Sequence, residues 1–409
     1  MKRRSLLKTG SSLLSLPLLL NANDLHASSK APKDVSTPEG RAMYLQRTLK
    51  KICGDLGPRP IGSPDYEKSA EIVKDELARS LPTAYLDTFP FERWKLNGDA
   101  ELLIGDQWYE AYPSHGSSGT PPVGITGILV ENKENGLAYS VINPMTEKPI
   151  GYIAVFPTGT ARPRPYYSFG QDVKCLPIFT VGNQDRPAFE NALARKTLVT
   201  MKADVKFIPD TKTSNVVGTL PGSSKEEIVL IAHLDTVYNT QGANDNTATV
   251  IVMMMLAHAL AGTVPDKTIT FLATTGEEYN KLGAINYVER RKREGTLDDI
   301  AYVFNVDSWT WGPNLVIYSD DVELWNTVTE IDRKVNPKGV PTLQPDGFWL
   351  DARPFRETGA RALSFSSGGL DVSTFCWHRP DDIPANVSVE LSEVGYQILS
   401  SFIGQVMGL

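Results

Sequence analysis

Three apolar runs of strand length, residues 228–232, 268–273 and 301–306, stand out in the second half of the chain. Each stops at residues of a metal-ligating type. The first runs into His233 and Asp235, the second into Glu277 and Glu278, the third into Asp307. Short continuous apolar runs bounded by turn signals are expected of strands buried on both faces. Between the first two, Gly242 to Asn246 opens an apolar segment, 247–260, that is too long for a strand and predicts a buried helix. Strand, ligand, helix, strand, ligand is the order of an open α/β sheet that builds its site beyond the carboxyl ends of its strands.

The first half is patterned differently. Residues 57–64 are turn-rich and lead into a helix for which Ser63 is the expected N-cap and Pro64 the first residue. Tyr66, Ala70, Val73 and Leu77 then recur at helical spacing, so this stretch reads as a loop and a packing helix. From about 102 to 206 short β-type runs (127–130, 150–155, 197–201) alternate with Pro- and Gly-rich turns, and 188–195 predicts a short helix. This region holds no cluster of ligand types. His115 stands alone in a Ser/Gly loop and reads as solvated, while His258, inside the apolar 247–260 segment, reads as packing.

Composition, 41% apolar and 22% charged over 409 residues, is that of a globular protein with two or three domains. Residues 1–27 carry four basic residues and one acid, so the net charge of −7 becomes −10 without them. An acidic chain of this kind argues against nucleic acid or an anionic membrane as the main partner. The leader itself has basic residues at 2–4 and 8 before an apolar run through Leu20, too short to span a bilayer, and so reads as a signal peptide that leaves no membrane anchor. Arg3-Arg4 followed by Ser5, Leu6, Leu7 and Lys8 resembles the twin-arginine export signal, and the expected location is periplasmic or extracellular. Three cysteines, Cys53, Cys175 and Cys376, fit neither a disulfide scaffold nor a Cys-rich zinc site.

The ligand types continue downstream: Asp245 lies in the Gly/Asn turn before the buried helix, and His378 in the segment Cys376 to Asp382. Singly, each has a dull explanation as a turn acid or a core histidine. As a set at strand ends and turns, they point to one site. His233 and Asp235, two apart, leave the strand on the same side, which places Asp235 to take the second ring N–H of a metal-bound His233.

The order HLD, GANDN, GEE, NVD, WHRPDD resembles the co-catalytic two-zinc exopeptidases of metallopeptidase family 28, which include zinc aminopeptidases and glutamate carboxypeptidases. The segments 56–77 and 350–365 are similar to others of that family, and 105–208 resembles the protease-associated domain that many members carry as an insertion. The resemblance implies a mixed, largely parallel central sheet with helices on both faces, formed by 33–104 and 209–409, plus the inserted β-rich domain 105–208. It further implies two zinc ions, one held by His233 and Asp307 and the other by Glu278 and His378. Asp245 would bridge them, often with a cis peptide following it, and Glu277 would be the general base. Nitrogen and carboxylate oxygen donors suit zinc, and two divalent ions against three ligand carboxylates leave a charge small enough to bury. Departures fall at Ala352, where the family often has His or Tyr, and at Arg379, where Thr is common. Both bear on specificity more than on catalysis.

Three functions follow. The first is an aminopeptidase cleaving peptide or aminoacyl substrates, with acids such as Asp351 or Asp307 reading the free amine. The second is a carboxypeptidase or N-acyl-amino-acid hydrolase, with Arg353 or Arg379 reading a carboxylate. The third is a binding protein on an inactive scaffold, which the complete ligand set disfavours. Side-chain preference and oligomeric state stay open.

Overall fold

In the computed structural model, which describes residues 35–409 apart from 135, 166–168, 170–175, 346–349, 371 and 408–409, the run at 228–232 is the strand Glu227–His233, buried at every position. The leader 1–27 and Cys175 lie outside the described residues. Ile228, Leu230 and Ala232 enter one apolar core, Val229 and Ile231 another, as the two-residue period of a strand requires. The first core is closed by helices Pro38–Leu49, Pro64–Ala78, Ala248–Ala259 and Val389–Met407; the second is closed by Leu282–Glu294. A strand covered on both faces has no use for polar alternation, which is why its sequence is a continuous apolar run.

The helix Ala248–Ala259 shows burial overriding propensity. Thr249, Val250, Ile251 and Val252 form a β-branched run of modest helix propensity. Ten of its twelve residues are buried, and each fully buried large apolar side chain contributes about 1.5–3 kcal/mol. Pro64–Ala78 begins as expected: the Ser63 hydroxyl accepts the Tyr66 N–H, and Pro64 occupies the first position.

The central sheet runs, in spatial order, Thr342–Leu343, Asn314–Tyr318, Arg361–Gly368, Ile300–Val306, Glu227–His233, Thr268–Thr274 and Val199–Leu220. The strands from Arg361–Gly368 to Thr268–Thr274 are mutually parallel, so their carboxyl ends share one edge. Antiparallel strands flank this parallel block on both sides, giving a mixed sheet with helices on both faces.

Two long strands, Thr83–Ile104 and Val199–Leu220, pair antiparallel and carry the chain from this sheet to a second, smaller core. There Ile125–Glu131, Tyr139–Ile142, Pro149–Phe156, Ile178–Gly182 and Ala111–Pro113 assemble with the helix Arg186–Arg195 around Leu129, Val141, Ile153, Phe179, Phe189 and Met201. The expected strand at 197–201 is the start of a 22-residue one. Its middle is polar and largely exposed, so no apolar run announces it, yet the backbone ladder continues through it. Among the described residues no helix is long and apolar enough to cross a membrane.

Candidate metal centre

The shared carboxyl edge of the parallel strands places the ligand types. His233 is the last residue of its strand, and Asp307 directly follows Ile300–Val306. After Thr268–Thr274 the chain turns at Gly276, whose φ of +70° suits glycine, and this turn delivers Glu277 and Glu278. Asp245 sits in the turn Ala243–Thr247 ahead of the buried helix, and the Asp245–Asn246 peptide is cis. That turn starts at Gly242, with φ +59°, where a Cβ would lie 2.2 Å from the Thr236 methyl. His378 arrives from far downstream with φ +56°, a region that residues other than glycine seldom adopt.

These side chains form two triads that share one acid: His233, Asp245 and Asp307, and Asp245, Glu278 and His378. His233 Nε2 is 3.1 Å from Asp245 Oδ1 and 3.7 Å from Asp307 Oδ2. His378 Nε2 is 2.9 Å from Glu278 Oε2 and 3.9 Å from Asp245 Oδ2. All five are buried, none more than 8% exposed. Both histidines point the same way for the same reason. His233 Nδ1–H donates to the Asp235 backbone carbonyl at 3.1 Å, and His378 Nδ1–H donates to the Pro163 carbonyl at 3.2 Å. Each Nε2 is therefore left as the nitrogen facing the carboxylates. Asp235 differs here from the expectation. Its carboxylate Oδ1 is 3.7 Å from His233 and instead accepts the Glu277 backbone N–H at 3.1 Å, so its main chain orients the histidine while its side chain holds the Gly276–Glu278 turn.

So many buried carboxylates call for positive charge. Burial, then Glu278, raises the Asp245 pKa to about 7. Burial opposes a charged His233, but Asp307 and Asp245 outweigh it and hold its pKa well above the ordinary range. The same contest, won by Glu278, raises His378 to about 9. Protonated imidazoles and divalent cations are alternative partners for these carboxylates. The donor set fits zinc: two imidazole nitrogens and three carboxylates in a closed cluster, with Glu278 Oε1 buried and without a hydrogen-bond partner.

Glu277 belongs to neither triad. Burial raises its pKa, and Lys281, with Nζ 3.6 Å from Oε1, tempers the rise. Asp351 is fully buried, accepts the Thr274 hydroxyl and has its pKa raised to about 7 by burial and by Glu277. It therefore sits behind the strand ends, and a free amine would have to displace that packing to reach it. Arg353 lies on the surface in an ion pair with Glu357, 2.9 Å apart and more than half exposed on both sides. Arg379 donates to the Ala161 carbonyl at 2.6 Å and stands 3.6 Å from Glu110.

Three residues were misjudged or missed from sequence. His115 is not solvated. It is 2% exposed, packed between the rings of Trp94 and Tyr279, and its pKa is lowered to about 4 by burial. Arg59, from the supposedly ordinary 57–64 loop, is fully buried and donates to the Gln241 carbonyl and the Thr247 hydroxyl, bracing both ends of the Asp245 turn. Asp382 accepts the backbone N–H groups of Asn244 and Asp245 at 2.7 and 3.0 Å. An arginine between two prolines and a second acid after His378 were the available signals, but neither states a partner.

A mixed α/β sheet carrying a buried His/carboxylate cluster at the carboxyl ends of its strands is a framework suited to holding metal ions. Residues 215–402 match the profile of Peptidase family M28, a family of metallo-exopeptidases. Aminopeptidase YwaD of Bacillus subtilis is 23% identical over 390 residues, covering 86% of this chain and 81% of that protein. Carboxypeptidase Q of Mus musculus is 24% identical over 360 residues, 76% of each. Among solved structures, a zinc aminopeptidase from Bacillus subtilis superposes with a TM-score of 0.69 at 19% identity, covering 89% of this chain and 95% of that one.

Proposed function

We propose that this enzyme is an exported aminopeptidase in which His233 and Asp307 would hold one zinc ion, Glu278 and His378 a second, and Asp245, common to both triads, would serve both. The observation that carries the proposal is the pair of triads sharing one acid. When bound, the ions would supply Lewis-acid polarisation of the scissile carbonyl and a lowered pKa for water. Glu277 is the proton carrier: its carboxylate, free of ligand duty, takes a proton from the attacking water and returns it to the leaving amine. Asp235 fixes that carboxylate's backbone, and Lys281 keeps it ionisable. Export by the twin-arginine route rests on the leader sequence, and residues 105–208 are proposed as a protease-associated-like insertion.

The aminopeptidase reading is favoured over the carboxypeptidase one by the placement of the two arginines. Arg353 is paired on the surface, and Arg379 is engaged by Ala161 and Glu110, so both cations that could read a terminal carboxylate already have partners. The likeness to carboxypeptidase Q supports the second reading. A substrate panel separates them. Free-amine aminoacyl anilides should be cleaved, and N-blocked versions and peptides read from a C-terminal Glu or Asp should not, with all turnover abolished by chelator. Cleavage of the N-blocked substrates at equal rates would overturn the aminopeptidase assignment.

A further inference from the structure

The stretch 161–165 belongs to the inserted region, yet its main chain meets the segment that carries His378. The Ala161 carbonyl accepts Arg379 Nη1, the Pro163 carbonyl accepts His378 Nδ1–H, and Arg162 Nη2 donates to the Thr374 carbonyl at 2.9 Å. The Arg162 guanidinium, itself buried, lies 4.5 Å from the Phe156 ring and 5.6 Å from that of Trp377, whose ring is 4.8 Å from that of His378. At its other end the stretch is tied to His115, whose N–H donates to the Arg164 carbonyl at 3.1 Å, and whose ring packs 4.7 Å from that of Tyr279, the residue after Glu278. The His378 ring is thus held directly by this stretch, and the residue after Glu278 packs on His115, to which the stretch is tied. The other pair is held by strand ends of the central sheet: His233 by the Asp235 carbonyl, and Asp307 by Ser308, whose N–H is bound by Asn246.

We infer that the inserted region is part of one half of the metal centre, with 161–165 a strap that positions His378, so that occupancy of the Glu278/His378 half depends on the insert and occupancy of the His233/Asp307 half does not. The physical reason is that His378 has no regular element to fix it. It follows a short helix, its backbone is in the left-handed region, and its main-chain carbonyl is held by the Asn239 side chain at 3.1 Å. Its ring direction and tautomer then rest on the Pro163 carbonyl. A carbonyl partner of a metal-bound histidine is worth about 10–100-fold in metal affinity. Arg162 is a positioning residue, since it acts through the strap and touches neither metal nor substrate.

This inference rests on the two-metal reading, and its test keeps the two apart. The mature full-length chain is stripped of metal and titrated with Zn²⁺ by calorimetry, with bound zinc counted by elemental analysis. Wild type should take up two equivalents; fewer than two removes the reading on which the inference rests. Arg162→Ala should retain one equivalent at wild-type affinity and bind the second about 10–100-fold more weakly, with Arg162→Lys intermediate. Pro163→Gly, which loosens the strap's backbone and leaves the Arg162 side chain, should show the same split and serves if Arg162→Ala does not fold. Two unchanged equivalents, or equal weakening of both, in a folded variant would overturn the strap's role. A general loss of packing would not single out one equivalent.

Discussion

Glu277 and Glu278 are adjacent and chemically identical, yet their surroundings separate them. Glu278 faces His378 at 2.9 Å, and this partner outweighs burial to hold its pKa below the ordinary range. Glu277 has only the more distant Lys281, 3.6 Å away, lies outside both triads and is pushed the other way by burial. The expected consequence is that Glu277→Gln lowers kcat by about 10²–10⁴-fold, the range for loss of a general acid–base group, while zinc content measured by elemental analysis stays at the wild-type value. Loss of metal in that variant would reverse the two roles. At this scale the sequence pointed to the candidate donors, because their types and strand-end positions are local facts. It did not show that Asp235 orients His233 through its carbonyl, or that His115 is buried, because both depend on what packs against them.

At the scale of elements, the buried helix Ala248–Ala259 illustrates how a polar residue is carried into a core. His258 is satisfied from two other elements: Tyr44 Oη is 3.1 Å from Nε2, and the Ser80 hydroxyl meets Nδ1. Burial lowers its pKa, with Glu76, 3.9 Å away, pulling weakly the other way. A depressed imidazole binds protons less readily folded than unfolded, so its contribution to stability is complete above the ordinary value of about 6.5. That contribution is lost as pH falls from there toward the folded value. His258→Gln should therefore melt with a shallower decline in Tm between about pH 8 and pH 5.5 than wild type, followed by thermal melts across that range. A steeper decline would refute the assignment. The packing role was legible because the residue sits in an uninterrupted apolar run; its partners were not, being remote in the chain.

For the whole molecule, the site is a point where strands, turns, the C-terminal segment and the insert converge, so the metal should hold them together. Removing it leaves Asp245, Glu278 and Asp307 as crowded like charges. Tight ions contribute about 4 kcal/mol per site at a thousandfold excess over Kd, which lowers Tm on chelation by about 5–15 °C in a protein of this size. Calorimetry on protein verified metal-free checks this, and an unchanged Tm would count against the clustering.

The apolar runs at 228–232, 268–273 and 301–306 determined the central strands, and the residues that end them supplied the candidate donors, because length, apolar character and donor type are written in consecutive positions. Only the tertiary structure decided that His378 meets Glu278, that Arg59 and Asp382 brace the Asp245 turn, and that Pro163 reaches the His378 ring. Those contacts join positions 100 to 215 residues apart, and several are made by main-chain groups that every residue carries. No side-chain pattern along the chain records them.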